Sequence, residues 1–183
     1  MNKDYQLLQS ALHLPTHEQA LDVFMSVKDI NVVSSAGKVN ILHNYITSYS
    51  FDSGKEHRIK DFYTLIQLGA NVNCHAHDRQ TPLHYCCFHR NYEAAKILIE
   101  NGAEIESIDE VGRTPLYIAI GDYRGQKDTL KIIHLLLEKG ADLDKPNNFG
   151  KTPRDIIKRV NVMIENYPSL YKTWDLSEHI KLD

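Results

Sequence analysis

The chain has 183 residues, 42% of them hydrophobic and 25% charged, with a formal net charge of −3 and a pI near 6.4. That length suits one folded stack with a core of its own, and the balance of residues is that of an ordinary globular domain. The charge excludes an electrostatic draw toward nucleic acid or an anionic membrane, no run approaches the 18 or so apolar residues of a membrane span, and three cysteines are too few and too odd for a disulfide framework.

Residues 1–30 read as two helices. Tyr5, Leu7, Leu8, Ala11 and Leu12 keep a helical period, Pro15 closes that region, and Thr16 to Gln19 has the spacing of a capping box for a second helix through Phe24 and Val27. The opening residues Met1 to Tyr5 lack the apolar core of a signal peptide, so a cytoplasmic protein is expected. Residues 31–70 follow with a turn at Gly37, a helix start near Leu42-His43, a turn-rich stretch from Thr47 to His57, and a helix that closes on Leu65-Ile66-Gln67-Leu68-Gly69-Ala70.

Residues 71–103 and 104–141 share one pattern. Thr81-Pro82-Leu83-His84 and Thr114-Pro115-Leu116-Tyr117 start helices 33 residues apart (81 to 114), with Thr as N-cap and Pro in the first turn. Gly69, Gly102 and Gly140 each precede an Ala and end a helix. Counting back seven and four residues from these glycines gives Phe62 and Leu65, Ala95 and Leu98, Ile133 and Leu136, which is one apolar helical face repeated three times. The third unit carries five extra residues around Gly121 to Asp128. Residues 142–183 begin as a fourth unit at Thr152-Pro153, change Leu-His to Arg154-Asp155, and break at Tyr167-Pro168. Tyr171, Trp174, Leu176 and Ile180 are expected to fold back as a C-terminal cap.

The segment Thr81 to Gly102, T-P-L-H-Y-C-C-F-H-R-N-Y-E-A-A-K-I-L-I-E-N-G, resembles one ankyrin repeat almost position for position. That unit is a β-turn finger followed by two antiparallel helices, with a period near 33 and a T-P-L-H-x-A opening. The resemblance implies an all-α solenoid of helix pairs with β-turn fingers, about four repeats between helical caps. Residues 1–30 become the N-terminal cap, residues 31–70 a degenerate repeat with Gly37 as its finger glycine, and residues 142–183 the final repeat and C-terminal cap. The motif's His bridges backbone groups of adjacent turns in that family, which would be the role of His84. Capped ends favour a monomer.

Cys74, His75, His77, His84, Cys86, Cys87 and His89 supply donors that would suit zinc. His84 is nevertheless a repeat residue, and Cys86 and Cys87 fill small positions facing the helix pack, so no metal or cofactor is expected. No nucleophile elbow, P-loop or metalloprotease helix occurs, so no catalytic residue and no enzyme is expected.

What remains is the concave surface, which the family uses to bind proteins. The fingers offer His75, His77, Asp78, Arg79, Asp109, Glu110, Arg113, Asn148 and Phe149, and the first helices with their insertion add Tyr85, Phe88, His89, Ile118, Asp122 and Tyr123. Tyr85 and Phe88 are the expected hot spots, because aromatics bring large contact area at low entropy cost; the bland reading is that they pack on neighbouring helices. The expected function is binding one protein partner, in its most specific form as a stoichiometric inhibitor such as a bacterial immunity protein neutralising a toxin enzyme. Were the partner a nuclease, Asp109 and Glu110 would be its phosphate mimics. The alternative is an effector or adaptor that recruits a host or cellular signalling protein.

Overall fold

A computed structural model describes residues 2–48, 56–166, 169, 175–176 and 179–180. Among these the regular elements are helices: α1 (Lys3–Ala11), α2 (His17–Ser26), α3 (Ile41–Ser48), α4 (Glu56–Gln67), α5 (Pro82–His89), α6 (Tyr92–Glu100), α7 (Pro115–Asp122), α8 (Lys127–Glu138) and α9 (Pro153–Asn166). They form two layers. The odd-numbered helices pack in the order α1, α3, α5, α7, α9, and the even-numbered ones in the order α2, α4, α6, α8.

The core lies between the layers, and helix period decides which residues enter it. In α4, α6 and α8 the residues seven and four before the closing glycine are fully buried: Phe62 and Leu65, Ala95 and Leu98, Ile133 and Leu136. Leu83, Cys86 and Cys87 of α5 and Leu116 and Ala119 of α7 meet them from the other layer. The expectation that the two cysteines act as small hydrophobes matches their complete burial.

The helix starts follow from their first residues. Thr114 Oγ1 accepts from Tyr117 N–H at 3.2 Å, and Thr152 Oγ1 from Asp155 N–H at 3.1 Å, while the Asp155 carboxylate accepts in return from Thr152 N–H at 3.0 Å. At Thr81 the returning group is an imidazole. Thr81 N–H donates to His84 Nδ1 at 3.1 Å, so the ring proton sits on Nε2, which donates to the Arg113 carbonyl of the next finger at 3.0 Å. His84 thus bridges adjacent turns as expected.

The first unit uses the same device in a different register from the one read in the sequence. Asn40 stands for Thr81 and His43 for His84: Asn40 N–H donates to His43 Nδ1, and His43 Nε2 reaches the Gln80 carbonyl at 3.3 Å. The left-handed residue of that finger is Lys38, with φ of 50°, and Gly37 is not. Lys38 precedes Leu42 by the same four positions that separate Arg79 from Leu83 and Gly112 from Leu116. The extra residue therefore lies before the tip, where Ser34 N–H bonds to the Val39 carbonyl.

Two sets of bonds tie neighbouring units together. Fingers hold fingers through the backbone: His77 N–H to the Gly37 carbonyl, Glu110 N–H to Asp78, and Asn148 N–H to Val111. Gly112 sits tight against the next finger: a Cβ there would lie 2.4 Å from Asn148 Oδ1 and φ is +80°, so only glycine fits. At the opposite end of the helices, Asn31 and Asn73 act as staples. Asn73 Nδ2 donates to the Gly102 carbonyl at 3.1 Å while its Oδ1 accepts from Glu104 N–H at 2.9 Å; Asn31 does the same with Gly69 and Asn71.

Two stretches lengthen their units: Thr47 to His57 in the first, of which residues 49–55 lie outside the described residues, and the five extra residues of the third. The second is divided: α8 has 12 residues against nine in α6, and the link from α7 to α8 is Tyr123 to Gln126, where α5 and α6 are joined by Arg90 and Asn91 alone. Leu176 and Ile180 are buried, and His179 stacks edge-on against His134 of α8 at 5.9 Å. Tyr171 and Trp174 lie outside the described residues.

Candidate functional site

The odd-numbered helices and the fingers together line the inner face of the stack, and a groove of about 480 Å³ opens between finger residues Asp78, Gln80 and Arg113 and the helices α5, α7 and α9. Its remaining lining is Tyr85, Phe88 and His89 from α5, Tyr117, Ile118, Gly121 and Asp122 from α7, and Ile156 and Arg159 from α9. Smaller recesses continue it in both directions. One shares Asp78 and Tyr85 and runs to Gly37 and Val39; the other shares Tyr117, Ile156 and Arg159 and runs to Lys151 and Asp155.

Helical register explains these neighbours. Tyr85, Ile118 and Ile156 are each three residues after the first-turn proline of their helix, and Phe88, Gly121 and Arg159 are each six after it. Identical positions on stacked helices form rows across the face. The upper row gives an apolar floor, and the lower row reads aromatic, vacant, cationic.

Aromatic contacts fix the α5 end. His43 meets Tyr85 edge-on at 4.7 Å between ring centroids, Tyr85 lies 6.1 Å from His89, and His89 meets Phe88 edge-on at 5.2 Å. Tyr85 is therefore half-buried against a neighbouring helix, as the bland reading held, whereas Phe88 is 57% exposed. Burial moves the His89 imidazole below its ordinary range, and burial together with the Asp78 carboxylate lifts the Tyr85 phenol, so both rings are neutral near pH 7.

The groove brings together Asp78, Tyr85, Phe88, His89, Arg113, Ile118 and Asp122 of the sequence candidates. His75, His77, Arg79, Glu110, Asn148 and Phe149 are exposed on the fingers outside it. Three candidates need correction as surface residues. Asp109 is 2% exposed because its carboxylate holds its own finger, accepting from Val111 N–H, Arg113 N–H and Arg113 Nε, the last at 2.7 Å. A carboxylate spent in this way is no phosphate mimic. Tyr123 is buried where the chain leaves α7, and Ile118 is 6% exposed because helices pack against α7 from both sides, so it contributes only the groove floor.

Gln80, read as a finger residue of the concave face, lines the groove, whereas Tyr117, Gly121, Ile156 and Arg159 were missed as site residues. Counting from the helix-start prolines would have found the last three, since their rows contain Tyr85 and Phe88. As to chemistry, Cys86 and Cys87 are fully buried, with thiols pushed well up by that burial. Among the described residues no group of three His, Cys, Asp or Glu side chains is placed to hold a metal ion, and no helix is long and apolar enough to cross a membrane.

Comparison with known proteins agrees with this architecture. A family model for ankyrin repeats in three copies matches residues 53–147, just over half of the chain. A Caenorhabditis elegans ankyrin repeat and LEM domain-containing protein 1 homolog is 48% identical over 59 residues, 32% of this chain and 8% of that protein. Human protein phosphatase 1 regulatory subunit 27 is 41% identical over 75 residues, 41% of this chain and 46% of that one. Human transient receptor potential cation channel subfamily A member 1 is 38% identical over 78 residues, 43% of this chain and 6% of the channel. These matches span less than half the length of each relative. The repeated caps, the finger-bridging imidazoles and the matched repeats place the chain in the ankyrin-repeat family, whose repeats mediate protein–protein interaction.

Proposed function

We propose that this chain is a non-enzymatic binding module that takes one protein partner on its concave face, with the groove beside Phe88 as the main anchor point. The observation that carries the reading is Phe88 itself, a large ring 57% exposed at the edge of an apolar floor and held by His89 rather than by the core. Aromatic anchors surrounded by polar groups are what concentrate binding energy at protein interfaces. Net charge of −3 gives the face no pull toward nucleic acid, and the free thiols suit a reducing, cytoplasmic setting.

In its finer form the partner is an enzyme and the chain its stoichiometric inhibitor, a toxin neutralised by an immunity protein being the sharpest version. The second reading is an adaptor that recruits a signalling protein, and one relative favours regulation in that wider sense, since it is named as a regulatory subunit of a phosphatase. The test is capture from a lysate of the source organism with wild type and with Tyr85→Ala/Phe88→Ala as matched baits. One protein captured at least tenfold less by the variant is the expected result. Titrating the purified chain into that partner then separates the readings: loss of activity complete at one equivalent marks an inhibitor, and unchanged activity an adaptor. Equal capture by both baits would remove the concave face from the account.

A further inference from the structure

Gly121 is the last residue but one of α7, and its conformation does not call for glycine. Its φ is not in the left-handed region, unlike those of Gly69, Gly102, Gly112, Gly125, Gly140 and Gly150. A Cβ built on it would meet nothing nearer than Ile156 Cδ1 at 3.8 Å, an ordinary contact. Glycine is the poorest helix former after proline, so neither backbone geometry nor crowding accounts for it. What its missing side chain does create is a notch in the groove, with Phe88 on one flank, Arg159 on the other, and Ile118 and Ile156 as floor.

Charge around the notch is sorted. Asp78 stands on the α5 side, and Asp122 lies near enough to α5 to bear on the buried Cys87 thiol. On the α9 side are Arg159 and, in the recess continuing the groove, Lys151, while the Asp155 carboxylate in that recess is turned back to accept from Thr152 N–H. Arg113 adds nothing to this polarity, because it is bound to Asp109 at 2.7 Å.

We propose that the notch at Gly121 is the specificity pocket of the concave face, and that its occupant is an extended segment of the partner. That segment seats one bulky apolar side chain between Phe88 and Ile156, presents a basic side chain toward Asp78 and Asp122, and presents an acidic one toward Arg159 and Lys151. This rests on the concave face being the binding face. Packed helices stand ~9 Å apart, so the two helix steps from α5 to α9 cover ~18 Å, which an extended chain spans in about six residues. The apolar residue therefore lies near the middle, with the opposite charges two or three residues to either side.

The experiment selects a phage-displayed library of random heptapeptides on the immobilised full chain, then measures the best peptide by fluorescence anisotropy against wild type, Gly121→Ala, Gly121→Leu and Arg159→Glu. The expected consensus has a central Leu, Met or aromatic with a base on one side and an acid on the other. Gly121→Leu should weaken its peptide at least tenfold and Gly121→Ala less, although neither lowers the melting temperature. Reselection on Arg159→Glu should replace the acid by a base. A consensus without a central apolar residue, or affinity within twofold of wild type in Gly121→Leu, would overturn the proposal. Enrichment of no heptapeptide would also refute an extended occupant; partner capture that still depends on Phe88 would then leave the concave face standing, and capture independent of Phe88 would remove both.

Discussion

The two bridging imidazoles make the stack acid-sensitive within a defined window. His43 and His84 are fully buried, and burial brings each down to about 4 from the 6.5 of an exposed imidazole, against the pull of the finger carbonyl each binds and of Asp78 or Asp109 nearby. The unfolded chain therefore binds protons at a pH where the folded one does not, and stability falls as pH drops from about 6.5 toward 4. At 1.36 kcal/mol per pH unit the ceiling is roughly 3 kcal/mol for each ring, of which about 2 falls between pH 7 and 5, or about 4 for the pair. Urea unfolding at both pH values measures it: with a slope of about 2–3 kcal/mol per molar, the midpoint should fall by roughly 1.3–2 M.

A double His43→Gln/His84→Gln variant isolates the cause, because glutamine keeps an acceptor and a donor but does not titrate. The carboxyls of Glu18, Asp144 and Asp155 are held below their ordinary values by hydrogen bonds, to Glu18's own backbone and Thr16, to Arg154, and to Thr152 respectively, so their losses fall mainly beyond the acid end of the pH 7 to 5 comparison. Asp61, raised by burial, acts with the opposite sign in wild type and variant alike. The reasoning fails if the variant loses as much stability between pH 7 and 5 as wild type does.

Two further predictions follow from burial. Asp109→Ala strips three acceptor contacts from a finger whose donors then lack a partner, and should cost about 2–3 kcal/mol in urea or thermal unfolding; a change under 0.5 kcal/mol would return Asp109 to the surface. It follows that a variant combining Tyr85→Ala, Phe88→Ala and Asp109→Ala is a poor probe of binding, and the first two changes alone are the better one. In a thiol titration with Ellman's reagent, Cys74 alone should react in the native protein and all three cysteines in denaturant. Rapid reaction of two or three native thiols would contradict the packing of α5.

Reading the sequence located the helices because their signals are local and chemical: a Thr before a Pro, a Gly before an Ala, and apolar residues returning at helical spacing. It misplaced the first finger because it took glycine as the mark of a left-handed turn. Two fingers place a basic residue there instead, Lys38 and Arg79, and a single left-handed residue is tolerated when the surrounding bonds hold it. The site was legible in part for a different reason. Periodicity reports which way a side chain points from its own helix but not what stands beside that helix, so Ile118 was read as surface while two helices cover it. Gly121 was read as part of an insertion, although it closes a row with Phe88 and Arg159. An empty position in a row gives no signal in composition and shows only when the rows are laid side by side.

The finger bonds and the asparagine staples each join one unit to the next and reach no farther, so cohesion is built junction by junction. An occupant of the groove touches α5, α7 and α9 at once and so acts as a splint across two junctions that otherwise open separately. Proteases cut an opened chain rather than a closed one, and under the proposed concave-face binding a partner takes only the closed one. The survival time of this protein inside a cell would then track how much partner is present, with the unbound surplus cleared first and the two kept near equal numbers without any dedicated control.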